Sequence, residues 1–149
     1  MINQNFLQVM LANGLLYHEI LHVLIALPLA YYVWVKTISV KFVALYYLVT
    51  IFIDSDHLFD YWGFYGFGLS LTKFFKLEYF DGPGRAFVPF HAWEWLILLG
   101  IFYKKTGKYI FLVMLFSLLS HYVLDSINVG SVIFYSIVYR AYEGFRILT

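Results

Sequence analysis

Each of the five histidines in this 149-residue chain stands within four residues of a carboxylate. His18 and His22 flank Glu19. His57 closes the run Asp54-Ser55-Asp56-His57, and Asp60 follows it. His91 precedes Glu94, and His121 precedes Asp125. Imidazole nitrogen and carboxylate oxygen together suit a divalent ion of borderline or hard character, such as zinc, manganese or iron. His18-Glu19-Ile20-Leu21-His22 has the form H-E-x-x-H. On a helix this puts two imidazoles on one face at i and i+4, with a carboxylate beside them that can act as general base. Asp54, His57 and Asp60 recur at helical spacing, and Asp56 and Asp60 form a further i, i+4 pair. Carboxylates this close repel one another unless a cation lies among them. His121 and Asp125 are again i, i+4, with Ser117 and Asn128 along the same stripe. The chemistry this predicts is a bound metal activating water. The first-choice ligands are His18, His22, Asp54, His57, His121 and Asp125. Asp56, Asp60 and His91 are further ligands or groups that orient them, and Glu19 or Glu94 is the general base.

Each cluster taken alone has a plainer explanation: a polar helix end, a hydrated acidic turn, or a histidine reaching toward headgroups. The surroundings argue otherwise. Hydrophobic residues make up 62% of the chain and charged residues 13%, with a mean hydropathy of +0.76. A soluble domain carries about 25% charged residues. A charge at the centre of a bilayer costs roughly 2.5–3.5 kcal/mol even on the lenient insertion scale. Eleven ionisable groups in and beside apolar segments therefore need compensation. The chain has no cysteine, which excludes thiolate zinc sites and disulfides. Its net charge of +1 and scattered basic residues offer nothing to nucleic acid. No glycine pattern for cradling phosphate follows a strand. Residues 1–14 lack Lys and Arg, so no cleavable signal peptide is expected.

The elements that must position these residues are helices, because only helices satisfy their own backbone in hydrocarbon. The expectation is a single all-α integral membrane domain, a four-transmembrane-helix bundle. Its spans are about 15–35, 42–62, 86–103 and 109–127, with apolar sequence running on to 139 past a break at Asn128-Val129-Gly130. Short Lys-bearing connections join the first pair and the last pair of spans, making them antiparallel neighbours. Residues 63–85 mix glycines, aromatics and lysines, and read as an interfacial segment between the second and third helices, with a turn at Asp81-Gly82-Pro83-Gly84. Following the chain back and forth, all four polar clusters reach similar depths near one face.

Thr50-Ile51-Phe52-Ile53-Asp54-Ser55-Asp56-His57 resembles the L-P-D-x-D-H element of the YdjM-like inner-membrane metal-dependent hydrolases, with Ile53 in place of the proline. Leu118-Leu119-Ser120-His121-Tyr122-Val123-Leu124-Asp125 resembles the closing S-H-x-x-x-D element of that family. His91 takes the place of the second histidine of its H-R-G-x-T-H-S element. Ala86 stands where the first would be, and Ala92 where the serine would be. The two elements are more distantly similar to zinc-dependent phospholipase C. The resemblance implies an inner-membrane hydrolase, with a phosphoester as substrate by analogy.

The expected function is a membrane-embedded, metal-dependent hydrolase holding one to three divalent ions, zinc first and manganese or iron next. Its partners are the lipid bilayer and a phospholipid-like or other phosphoester substrate near the headgroups. Arg85, Lys73 and Lys76 are available to attract a phosphate. The rivals are a site-2-type intramembrane metalloprotease, a metal or proton transporter, and a scaffold with a structural metal. Lysines 36, 41, 104, 105 and 108 crowd the short loops, so the positive-inside rule puts the site on the extracytoplasmic face. Nothing in the sequence sets the oligomeric state.

Overall fold

The computed structural model describes residues 15–147, which are predominantly helical and form no strand. The long helices are α1 (Leu15–Thr37), α2 (Val40–Phe52), α3 (His57–Tyr65), α6 (Trp93–Thr106) and α7 (Tyr109–Val129). A 3₁₀ turn, Ile53–Asp56, joins α2 to α3, so that Val40–Tyr65 runs as one 26-residue rod. Two four-residue helices, α4 (Leu71–Phe74) and α5 (Glu78–Asp81), lie in the long connection. After α7 come a 3₁₀ turn, Ile133–Tyr135, and α8 (Ile137–Tyr142).

Three helical stretches are long and apolar enough to cross a membrane: Tyr17–Thr37, Val40–Tyr65 and Tyr109–Val129. These match the first, second and fourth expected spans. At 1.5 Å per residue, the 21 residues of α7 extend roughly 31 Å, about the thickness of the hydrocarbon layer. The expected third span, 86–103, forms differently. Its helix begins only at Trp93 and covers 14 residues, so it does not meet the length of a full span. Residues 86–92 are irregular. Pro89 removes one backbone donor, and Val88 is held at a φ of 27°. The apolar run past Val129 does not continue as helix either. Gly130 takes the left-handed conformation (φ 72°) and caps α7, turning the chain back over the helix ends.

The centre of the bundle is α7. It packs against α1, α2 and α6, and 56% of its span is buried against 22% for each of the other two spans. Ala26 and Ala30, one turn apart on α1, let Tyr46 of α2 and Val113 of α7 approach closely. A ladder of hydroxyls joins α2 to α7. The Tyr46 hydroxyl pairs with Ser120 Oγ at 2.7 Å, Thr50 Oγ1 with Ser117 Oγ at 2.8 Å, and Ser117 Oγ donates to the Tyr46 carbonyl at 2.9 Å. The outward faces of α1 and α2 carry Leu24, Leu27, Tyr31, Leu48 and Ile51, all exposed, as lipid-facing helices require. At one end of the bundle, residues 66–92 and 130–147 form a cap over the helix ends. The two parts of the cap meet where Arg85 and Arg146 pair as an antiparallel bridge.

Candidate metal centre

The bundle brings all five histidines to one place beneath the cap. From α1 come His18 and His22, one turn apart, with Nε2 atoms 2.9 Å from each other. The 3₁₀ turn and the start of α3 supply Asp54, Asp56 and His57. The irregular 86–92 segment supplies His91, and α7 supplies His121 and Asp125. His22, His91 and His121 are 1%, 1% and 0% exposed. Nine residues were expected to form the site by ligation or support, and the structure divides them into two roles.

Seven of them converge donor atoms. Asp125 Oδ1 lies 3.3 Å from His18 Nε2 and 3.2 Å from His22 Nε2. Its other oxygen, Oδ2, lies 3.1 Å from His121 Nε2 and 3.5 Å from His91 Nε2. Asp54 Oδ1 lies 3.1 Å from His91 Nε2, 3.4 Å from His121 Nε2 and 3.5 Å from His57 Nε2. Asp54 Oδ2 and His22 Nδ1 are buried without a hydrogen-bond partner. Three groups of donors lie close enough together to share an ion: His18/His22/Asp125, Asp54/His57/His91 and His91/His121/Asp125.

The tautomers implied by the surroundings of His91 and His121 fit ligation. His121 Nδ1 faces the Thr50 carbonyl at 2.9 Å, and a carbonyl can only accept, so that nitrogen carries the proton. His91 Nδ1 faces both oxygens of Asp56 at 3.1 Å. In their neutral forms both rings turn a bare Nε2 toward the centre, and these two nitrogens are 3.1 Å apart. Two lone pairs at that distance repel unless a cation or a proton lies between them. A carboxylate or carbonyl on the far nitrogen is the arrangement that orients metal-binding imidazoles and raises their basicity.

The other two of the nine, Asp56 and Asp60, support rather than converge. Asp56, fully buried, accepts from the Phe90 N–H at 2.7 Å as well as from His91. Asp60 accepts from the N–H groups of Phe87 and Val88 at 2.6 and 3.0 Å. Together they hold the 86–92 segment that carries His91. Of the two expected bases, Glu19 lines the cavity described below beside His18. Glu94 points elsewhere. It accepts from the Ser136 hydroxyl at 2.6 Å and from the N–H groups of Ile137 and Val138, so its carboxylate is engaged in capping α8. Lys73, Lys76 and Arg85 are exposed and line no part of the cavity; Lys76 pairs with Glu78 at 3.5 Å.

Two supporting residues were not singled out from sequence. Arg140, on α8, is fully buried within the cap. Its guanidinium donates to the carbonyls of Phe87 (2.7 Å), Val88 (3.1 Å) and His91 (2.6 Å). Burial pushes its pKa below the ordinary value, and Asp56 acts in the opposite direction. Tyr122 donates its hydroxyl to the Phe90 carbonyl. The 86–92 segment is thus held through its N–H groups by two aspartates and through its carbonyls by Arg140 and Tyr122. That restraint accounts for the positive φ tolerated at Val88.

A cavity of about 350 Å³ opens beside the convergent donors. Its polar end holds His18, Glu19, Asp54, His57, Asp125 and Asn128. Its walls are apolar, with Phe74 and Phe80 from one part of the cap and Phe134 and Ile147 from the other. This combination of apolar walls and a few converging polar groups is typical of a small-molecule site. The chain matches no family model, no curated protein and no solved structure.

Proposed function

We propose that this protein is a membrane-embedded metal-dependent hydrolase whose substrate is an amphipathic phosphoester. The observation that carries the reading is the meeting of His18, His22, Asp54, His57, His91, His121 and Asp125 at the polar end of an apolar-walled cavity. A divalent ion held there supplies Lewis acidity and makes water a competent nucleophile near neutral pH. Glu19 stands at the cavity edge, where it can take the proton from the attacking water. Asp56, Asp60 and Arg140 keep His91 in place, and Thr50 fixes the His121 tautomer. Phe74, Phe80 and Phe134 accommodate the apolar part of the substrate and exclude bulk water from the reacting end.

In the bilayer, α6, entered through the 86–92 part of the cap and third in chain order, makes the remaining crossing. Residues 66–85, with Phe67 and Leu69 fully or largely exposed, lie along the interface. The short lysine-bearing loops face the cytoplasm and the cap faces outward across the inner membrane. The resemblance of the Asp54–His57 and His121–Asp125 elements to the YdjM-like hydrolases agrees with this assignment. Because the chain has no cysteine, single cysteines placed at 36 and 85 report the topology directly. Labelling of both from the same side would reject it.

The direct test is hydrolysis of phosphomonoester, phosphodiester and phospholipid substrates by detergent-purified protein loaded with zinc or manganese, beside Glu19→Gln. The expected result is turnover that falls about 10²–10⁴-fold in the variant while metal content stays the same. Loaded protein that turns over none of these substrates would sink the phosphoesterase reading. A second reading rests on one observation: His18, His22 and Asp125 with Glu19 beside them would also serve peptide hydrolysis of the site-2 type. Cleavage of a transmembrane peptide, with the phosphoesters untouched, would favour it.

A further inference from the structure

The three candidate donor groups overlap, and the overlap decides how many ions fit. His91 Nε2 belongs to two of them. An imidazole nitrogen has one lone pair and ligates one ion, so those two groups cannot each hold an ion. Their mutually close donors make one set, His91 Nε2, His121 Nε2, Asp54 Oδ1 and Asp125 Oδ2, with His57 at its margin, 3.5 Å from Asp54 Oδ1 alone among these atoms. Five of the edges of this four-cornered figure are 3.1, 3.1, 3.1, 3.4 and 3.5 Å. Bonds of about 2.0–2.2 Å to one ion give edges of roughly 3.3–3.6 Å in a tetrahedron and 2.8–3.1 Å in an octahedron. The observed edges fall in that combined range.

Asp125, unlike His91, has two donor atoms to share, and the structure divides them. Oδ2 faces His91 and His121, while Oδ1 faces His18 and His22. The second triangle has edges of 2.9, 3.3 and 3.2 Å, again the size of a coordination face. The two sets lie side by side, because the rings of His22 and His121 stack with centroids 3.9 Å apart and planes 12° from parallel.

The sets differ in completeness. The inner set has four protein donors and is the more deeply enclosed, with His121 fully buried. The outer set has three, and the side chain of His18 is 33% exposed toward the cavity that Glu19 and Asn128 also line. Structural zinc sites are closed by four protein ligands, whereas catalytic ones keep a position open. Building on the metal-dependent reading above, we propose that the centre is dinuclear, with Asp125 as the bridge. An inner ion at Asp54/His91/His121/Asp125 serves as a fixed electrostatic anchor. An outer ion at His18/His22/Asp125 keeps its remaining positions toward the cavity and receives the anionic oxygen of the substrate.

The test is metal stoichiometry by elemental analysis after loading with manganese, together with the electron paramagnetic resonance spectrum of the same samples. Full-length wild type, the double variant His18→Ala/His22→Ala and the milder His22→Gln are compared, each checked for a monodisperse detergent-solubilised peak. The expected result is about two ions per chain with a spin-coupled spectrum in wild type, and about one ion with an isolated six-line spectrum in the double variant. His22→Gln should weaken the outer ion alone. One ion per chain in saturated wild type, or a double variant that still holds two coupled ions, overturns the dinuclear proposal and leaves a single-ion hydrolase standing. No bound ion in wild type overturns both readings and leaves a proton between His91 and His121.

Discussion

Replacing Arg140 with alanine should loosen a metal site that Arg140 does not touch. The side chain is fully buried and its three hydrogen bonds end on the carbonyls of Phe87, Val88 and His91. Removing it leaves the Phe87 and His91 carbonyls without their partner, while the Val88 carbonyl keeps the His91 N–H at 3.0 Å. Each unsatisfied buried group costs about 1–3 kcal/mol, partly recovered if water enters the space the guanidinium leaves. The segment would therefore lose on the order of 3 kcal/mol of support, in the lower part of the sum for two such groups. If this must be restored whenever His91 ligates, the inner ion binds about 100-fold more weakly, since 1.4 kcal/mol is a factor of ten. Losses of 10–100-fold are common for groups that orient ligands. The assay is competition against a chromophoric chelator with wild type, Arg140→Ala and Arg140→Lys. Lysine keeps the charge but cannot reach three carbonyls in a planar fork, and should fall between the other two. The outer site at His18 and His22 takes no ligand from the 86–92 segment and shares only Asp125 with the inner one. A general loss of structure would weaken both affinities, whereas lost positioning weakens one. A folded Arg140→Ala protein binding both ions within twofold of wild type would refute the reasoning.

Other substitutions probe neighbouring links. Asp56→Asn keeps an acceptor for the Phe90 N–H but removes the charge behind His91. Metal affinity measured by the same competition should drop about 10–100-fold with little change in melting temperature. Thr50→Val with Ser117→Ala cuts the hydroxyl ladder between α2 and α7. Unfolding in mixed micelles should show a loss of about 0.6–1.7 kcal/mol per interhelical bond, with metal content unchanged. An equal loss of metal would mean that the ladder positions His121 as well as joining the helices.

Much of the centre could be read from residue spacing because helices carry it. His18 and His22, and His121 and Asp125, are i, i+4 pairs on α1 and α7, and helical geometry alone brings each pair together. Alternating spans then placed the clusters near one face. The sequence ranks Asp54 ahead of Asp56 and Asp60, but spacing does not say whether the latter two ligate or support. The three differ in what their oxygens meet, which depends on the 3₁₀ turn between α2 and α3 and on a loop 30 residues away in the chain. The expected third helix begins late for a related reason. The backbone groups of 86–92 are bonded to Asp56, Asp60 and Arg140 instead of to a helical ladder. Arg140 itself looked like a loop charge, since no local pattern marks an arginine that will be buried by a segment some 50 residues upstream. Glu94 has the type and neighbourhood of a general base, but only the return of the chain through Ser136 reveals it as a helix cap.

The split of Asp125 between two histidine sets also bears on how the bundle coheres sideways. In hydrocarbon, an apolar face of α1 gains little by turning from lipid to a neighbouring helix. Ala26, Ala30 and Val33 secure the far half of α1 by close packing. The half bearing His18 and His22 is fastened to α7 through Asp125, 107 positions beyond His18 in the chain (125 minus 18), together with the Asn128–His18 hydrogen bond and the His22–His121 stack. Asp125 is thus a mooring point as well as a proposed ligand. Loss of that carboxylate should therefore loosen the near end of α1 from the bundle, with the tight Ala26–Val33 contact as its pivot.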